Sequence, residues 1–318
     1  MKLGIIGLGK MGGNLALQAM DKKIGVIGKA RKPKPELESQ GLKVVTDYKD
    51  FVSYLKHPHV IYLSLPAGKV VDIVLDELLP YLEGGDVVID GGNSFYLDSI
   101  EREKRLWDRR SGGGGGIYFL DCGTSGGPEG ARNGACFMVG GKEEGIKIAE
   151  PILKALAVND DGYAYTGPPG SGHFVKLVHN GIEFGMLQAI GEGVELLKRE
   201  NTFNLNLEKI FKNWSNGSVI RGLLVELMEK QLKEQDFNKV ESYIEDTGEV
   251  NWLVQDAINK EIPIPVIAQS IMELFSSRIK DRYAYKSIAL MRHGFGGHPF
   301  GKSEYIAKER ETSRTSKI

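Results

Sequence analysis

Six residues near the amino terminus constrain the fold most: Gly7-Leu8-Gly9-Lys10-Met11-Gly12, a G-x-G-x-x-G pattern. Alone the pattern is weak, but its setting is informative. Lys2-Leu3-Gly4-Ile5-Ile6 precedes it as a short buried strand. Gly13 to Lys22 follows, with Leu15, Ala16, Ala19 and Met20 at helical spacing, and Ile24-Gly25-Val26-Ile27-Gly28 reads as a second strand. Strand, glycine loop, helix and strand in that order form a dinucleotide-binding unit. The glycines permit a tight turn and close backbone approach, and the helix N-terminus offers free N–H groups to a pyrophosphate. Gly7, Leu8, Gly9, Met11 and Gly12 are therefore expected cofactor neighbours.

The residues after the second strand bear on which dinucleotide binds. A carboxylate there accepts from the ribose hydroxyls and favours NAD. This chain has Lys29-Ala30-Arg31-Lys32, with no acid. Arg31 can fork onto a 2′-phosphate, and Lys29 or Lys32 can add charge. NADP is expected over NAD, with NAD a possible second cofactor.

Strand and helix patterns then alternate. Strands are expected over 60–65, 86–90, 117–121 and 135–139 and at 164–165. Helices are expected over 69–81, 95–109 and 142–156, the acid-base pairs of 95–109 facing solvent. Gly112 to Gly116 reads as a flexible surface loop. The fold class is α/β, a doubly wound, mostly parallel Rossmann-type sheet followed by an all-α domain. Ligands of such sheets lie beyond the carboxyl ends of the strands. Ser64 to Gly68 (including Leu65 and Pro66), Gly91 to Ser94 (including Asn93) and Gly123 to Gly130 all fall on that rim. From Gly172 the strand signal stops. Residues 172–200 read as one helix about 43 Å long, followed by helices over 206–214, 218–235, 250–259, 264–281 and 281–293. The expected domains are 1–170 for the dinucleotide and 171–307 for substrate and oligomer contacts, with a disordered polar tail over 308–318.

Lys176, His179, Asn180 and Glu183 open the helical half at i, i+3, i+4 and i+7, on one arc of the helix surface. Phe174, Val175, Leu177, Val178 and Ile182 flank them. A solvated, salt-bridged helix face is the plain alternative; a base and an acid beside a cofactor rim favour chemistry.

Bulk properties narrow the class. The 318 residues are 41% hydrophobic and 26% charged with a net charge of −1, so a globular protein is expected and nucleic acid is not a partner. No apolar run approaches the roughly 20 residues of a membrane span, and Met1-Lys2-Leu3 runs straight into the first strand, so a cytoplasmic location is expected. Cys122 and Cys136 are expected to fill space as reduced thiols. No carboxylate or histidine cluster has metal-ligand spacing, and no metal is expected.

Together these residues resemble the short form of decarboxylating 6-phosphogluconate dehydrogenase, within the β-hydroxyacid dehydrogenase superfamily. The resemblance runs from Met1 to about His298. It rests on the glycine loop, Ile89-Asp90-Gly91-Gly92-Asn93-Ser94, Ser125-Gly126-Gly127-Pro128-Glu129-Gly130-Ala131-Arg132, Gly172 to Glu183, and Phe295-Gly296-Gly297-His298. It implies that Lys176 is the general base toward a C3 hydroxyl and Glu183 the acid that protonates C1 of the enediol left after decarboxylation. It implies substrate contacts from Asn93, Ser125, Gly126, Gly127, His179 and Asn180. Arg278 and Arg292 remain as candidate phosphate ligands, and His298 matches a residue given across a subunit interface, so a homo-oligomer (dimer or tetramer) with a shared site is expected. Three positions depart from the family. Its tyrosine after the catalytic glutamate is Phe184, and an arginine or lysine and a threonine that contact phosphate are Asn251 and Leu253.

Overall fold

The computed structural model describes residues 2–108, 116–296, 299–302 and 304. The amino-terminal half alternates β1 (Lys2–Ile6), α1 (Lys10–Asp21), β2 (Gly25–Lys29), α2 (Pro35–Glu38), β3 (Lys43–Val45), α3 (Tyr48–Ser53), β4 (Val60–Leu63), α4 (Lys69–Leu78), β5 (Val87–Asp90) and α5 (Tyr96–Asp108). It continues with β6 (Tyr118–Ser125), α6 (Gly127–Asn133), β7 (Cys136–Gly140), α7 (Glu143–Leu156) and β8 (Tyr163–Gly167). The eight strands form one sheet in the order β3-β2-β1-β4-β5-β6-β7-β8. Every pairing is parallel except β6 with β7.

Both faces of the sheet are covered, and the two-residue period of a strand explains how. Leu3, Ile5, Val60, Tyr62, Val87, Ile89 and Leu120 enter one core with Leu15, Ala19 and Leu153. Their alternates Ile6, Ile61, Leu63, Val88 and Phe119 enter the other with Phe51, Leu75 and Leu106. Strands buried on both faces read as continuous apolar runs, which is why they are visible in the sequence.

After β8 every described element is helical: α8 (Ser171–Arg199), α9 (Leu207–Ser215), α10 (Leu223–Glu234), α11 (Glu249–Asn259), α12 (Pro265–Arg278) and α13 (Tyr283–Gly296). The 29-residue α8 starts against the sheet. Buried Asp121 accepts from Gly170 N (2.7 Å) and His173 N (2.8 Å), satisfying N–H groups at the helix entry. A Cβ at Gly172 would lie inside 3.0 Å of Asp121 O, Met138 O and Gly140 N, so only glycine lets the helix start this close to β6 and β7. Leu177 of α8 packs with Val250 and Leu253 of α11 and Ile271 of α12.

Several sequence expectations change. Residues 30–58 hold α2, β3 and α3, each too short for a periodic signal. β6 runs on through Ser125 because Gly123, Thr124 and Ser125 pair with β7, and Gly127–Asn133 is a helix rather than rim loop. Residues 218–222 form a turn, and α10 starts only at Leu223. The charges of α5 do not all face solvent. Arg102 is 3% exposed, bound through Nε and Nη2 to Asp72 (both 2.9 Å), and Glu103 is buried against Lys142. Cys122 is buried, whereas Cys136, the first residue of β7 and paired with Ser125, is exposed. Residues 109–115 of the expected helix end and glycine loop, His298, and the tail from 308 lie outside the described residues.

Candidate active site

The carboxyl ends of β1, β4, β5 and β6 and the polar face of α8 surround one cavity of about 1520 Å³. Gly9, Met11, Leu65, Asn93, Ser125 and Lys176 all line it. The rim expected from four separate loops is thus one continuous surface, to which α8 is brought by its seat on β6.

The four-residue stripe is assembled as its spacing predicts. Lys176, 7% exposed, donates from Nζ to Asn180 Oδ1 at 2.7 Å and lies 3.4 Å from His179 Nδ1. His179 Nε2 is 3.2 Å from Ser125 Oγ, which ties the stripe to the end of β6. Glu183 Oε2 is 3.9 Å from His179 Nδ1 and is about two-fifths exposed, on the open side of the cavity. Burial holds the Lys176 amine below the ordinary lysine range, opposed by the negative charge of Glu183 and Glu249. A desolvated lysine with a lowered pKa is suited to accept a proton. Gly126 and Gly127, both at positive φ (114° and 60°), turn the chain from β6 into α6 at the cavity edge.

The Asn93 loop is shaped from beneath. Asp90 is fully buried and accepts from Gly92 N (3.1 Å) and Ser94 Oγ (2.7 Å), with Arg102 Nη1 at 3.6 Å. Asn93 is left exposed between this anchored turn and Lys176. Behind Lys176 lies a cavity of about 10 Å³, lined by Asn93, His173, Lys176, Asn180 and Glu249 among others. It is roughly the size of one water molecule. His173, 1% exposed, meets Ser99 Oγ through Nδ1 at 2.7 Å, and its Nε2 has no protein partner.

The glycine loop fits a dinucleotide phosphate. A Cβ at Gly12 would strike Gly7 O, so the loop closes on itself only as glycine, whereas the space around Gly9 is open for 4 Å. Gly9 caps α1 without a side-chain hydrogen bond, and the first turn holds no acid, so the N–H groups there remain available to an anion. Leu8 turns its side chain into the core, leaving its backbone on the loop. Leu65 lines the cavity and Pro66 lies exposed just beyond it.

Lys29 differs from expectation. It is 7% exposed, and its Nζ sits 3.7 Å from the centre of the Tyr48 ring. The amine is directed into the fold because α3 places an aromatic face there. Ala30 is also buried, whereas Arg31 and Lys32 are exposed, with no hydrogen bond or ion pair among the described residues.

The expected phosphate ligands are not gathered in this chain's cavity. Arg278 is committed to Asp246 (2.8 Å) and to Ile244 O (2.6 Å). Arg292 is exposed on α13 and is not among the lining residues. Phe184 and Leu253 pack in an apolar cluster with Leu177. Among the described residues, Lys10, Lys176 and Arg221 are the lysines and arginines of the lining. Arg221 and Glu249, which had no expected role, also line the cavity, brought there by the turn at 218–222 and the start of α11.

The chain also brings His57, His59 and Asp86 together, with one ligand atom from each within 4.8 Å of the others. The three residues are joined by the pairing of β4 with β5.

Residues 2–167 match the NAD binding domain of 6-phosphogluconate dehydrogenase, and residues 172–318 match the 6-phosphogluconate dehydrogenase C-terminal domain. A Haloferax volcanii protein named NAD(+)-dependent, decarboxylating 6-phosphogluconate dehydrogenase is 38% identical, over 96% of this chain and 100% of its own length. The NADP(+)-dependent, decarboxylating enzyme of Bacillus subtilis is 33% identical, over 100% of this chain and 70% of its own. Among solved structures, Plasmodium falciparum 6-phosphogluconate dehydrogenase, described with NADP+ and with 6-phosphogluconate, aligns with a TM-score of 0.79 at 25% identity. That alignment covers 96% of this chain and 67% of the other.

Proposed function

Because this chain belongs to the 6-phosphogluconate dehydrogenase family, we propose that it converts 6-phosphogluconate to ribulose 5-phosphate and CO₂ with NADP as oxidant, as a step of the pentose phosphate pathway. The observation that carries this reading is Lys176 and Glu183 on one face of α8, opening into the cavity that Gly9 and Asn93 also line. A bound nicotinamide dinucleotide supplies the hydride acceptor. Lys176 takes the proton of the C3 hydroxyl as hydride leaves C3, giving a 3-keto acid. Protonated Lys176 then donates to the ketone oxygen while the C1 carboxylate leaves as CO₂, its bonding electrons forming an enediol. Glu183 protonates the former C2, which becomes C1 of ribulose 5-phosphate, while the enediol hydroxyl on the former C3 gives its proton back to Lys176. Asn180, which accepts from Lys176 Nζ, orients the amine through these proton transfers.

NADP is favoured by Arg31 and Lys32, exposed beyond β2; the relatives include both NAD(+)- and NADP(+)-dependent enzymes. The proposal includes a homo-oligomer. On α13, Ile288, Leu290 and Met291 are exposed, apolar surface that a second copy would cover while carrying Arg292 and His298 to its partner's site. A second reading has its own support: Phe184 and Leu253 are apolar and Arg278 is occupied by Asp246. On that reading the substrate is an unphosphorylated sugar acid. Assays with 6-phosphogluconate and gluconate side by side separate the two. NADPH and CO₂ from 6-phosphogluconate support the first; turnover of gluconate alone overturns it in favour of the second.

A further inference from the structure

β4 and β5 carry a polar cluster at their amino ends, away from the cofactor rim. His57 and His59 precede β4, and Asp86 precedes β5. Asp86 has no exposed surface. Each of its oxygens takes one backbone N–H: His59 N to Oδ1 at 2.7 Å and Glu83 N to Oδ2 at 2.8 Å. Each oxygen also faces one imidazole: His57 Nδ1 lies 3.1 Å from Oδ1, and His59 Nδ1 lies 2.9 Å from Oδ2. None of these residues takes part in the chemistry proposed above.

We propose that His57, His59 and Asp86 form a binding site for a divalent transition cation of the zinc, cobalt or nickel class. Two imidazoles and one carboxylate are a ligand set that such cations favour over magnesium or calcium. Bonds of 2.0–2.2 Å at tetrahedral angles put ligand atoms roughly 3.3 Å apart. The nitrogen–oxygen separations of 2.9 and 3.1 Å, one to each carboxylate oxygen, are close to that spacing, and one ligand atom from each residue lies within 4.8 Å of the others, so the imidazoles need to draw together onto one cation. The carboxylate is already oriented by its two backbone N–H groups, as outer-shell partners orient metal ligands elsewhere. The imidazoles are the replaceable partners. Each moves its proton from Nδ1 to Nε2 and presents the Nδ1 lone pair, so no proton is lost, and Asp86 offsets one of the two positive charges. The His57 side chain is 50% exposed, which gives an entry path and leaves room for water as a fourth ligand.

The same hydrogen bonds would also serve a cation-free role, with Asp86 as an anchor for two loops. Metal uptake separates the roles. The four residues of β4 place about 13 Å between the cluster and the cofactor rim, so the cluster can be altered without touching the active site. EDTA-treated full-length protein is titrated with CoCl₂, followed by ligand-field absorption and by metal analysis after gel filtration. Wild type is expected to retain one cobalt per chain with the intense visible bands of a low-coordinate site. His57→Gln/His59→Gln should bind it at least about tenfold more weakly, and the half-exposed single variant His57→Gln should also weaken binding while keeping the wild-type melting temperature and turnover. The proposal is overturned if wild type retains no cobalt. It is equally overturned if the double variant retains as much as wild type, since His179 or Cys136 would then hold the ion.

Discussion

Gly123→Ala isolates the placement of Lys176 from its chemistry. Gly123 lies in β6, directly beneath α8. A Cβ there would fall inside 3.0 Å of Lys176 Cβ and at 3.0 Å from both Lys176 Cγ and Gly172 O. Ordinary contact begins at 3.4 Å, so relieving Cγ alone moves it by 0.4 Å (3.4 − 3.0), and relieving Cβ moves it further. The shift of α8 against β6 is therefore about 0.5–1 Å, and a misplacement of 1 Å at a reacting group costs about 100-fold in rate. We expect kcat to fall about 10- to 100-fold, with about 1–3 kcal/mol of overpacking cost to stability. Cofactor affinity should be unchanged, because the glycine loop is carried by β1 and α1. The assay combines steady-state NADPH formation, cofactor titration by protein fluorescence and a thermal melt. Gly9→Ala is the converse control. Nothing lies within 4 Å of its new Cβ, so it should fold normally and lose cofactor affinity. A Gly123→Ala enzyme with kcat within twofold of wild type would refute the claim that the β6–α8 contact sets the position of the base.

Three further expectations follow from charge. Glu249 raises the Lys176 pKa against the lowering by burial, so Glu249→Gln should lower it further and move the acid limb of kcat/KM to lower pH; a limb that stays or moves up assigns it to another group. Arg31→Ala should raise the KM for NADP about 10- to 100-fold, from a lost charge-assisted phosphate contact of about 1.5–3 kcal/mol, and leave that for NAD unchanged; equal effects on both would remove Arg31 from 2′-phosphate recognition. Arg102→Leu strips the counter-charge from buried Asp90 and the bidentate bond from Asp72, and should cost about 3–5 kcal/mol in urea unfolding; a loss under 1 kcal/mol would show the α5 network to be dispensable.

What the sequence makes legible follows from how local each feature is. The stripe of Lys176, His179, Asn180 and Glu183 depends only on helical spacing, and the structure brings its members into contact. The strands are legible because they are apolar on both faces. Side-chain direction beyond a strand end is not local. Lys29 points inward because Tyr48 arrives from another element, and Arg278 is consumed by Asp246, 32 residues away. Arg102 reads as a surface charge until α4 supplies Asp72. Asp121 reads as a strand residue, yet it fixes the start of α8 across about 50 residues. His57, His59 and Asp86 are invisible as a cluster because only the β4–β5 pairing joins them.

The central claim is that Lys176 is the base of an oxidative decarboxylation. The most direct test follows NADPH and trapped CO₂ together, with 6-phosphogluconate as substrate, in wild type and in Lys176→Met. Wild type should form the two in equal amounts, and Lys176→Met should slow both by about 10²–10⁴ while still binding NADPH. A wild-type enzyme that forms neither, or a Lys176→Met enzyme as fast as wild type, contradicts the claim.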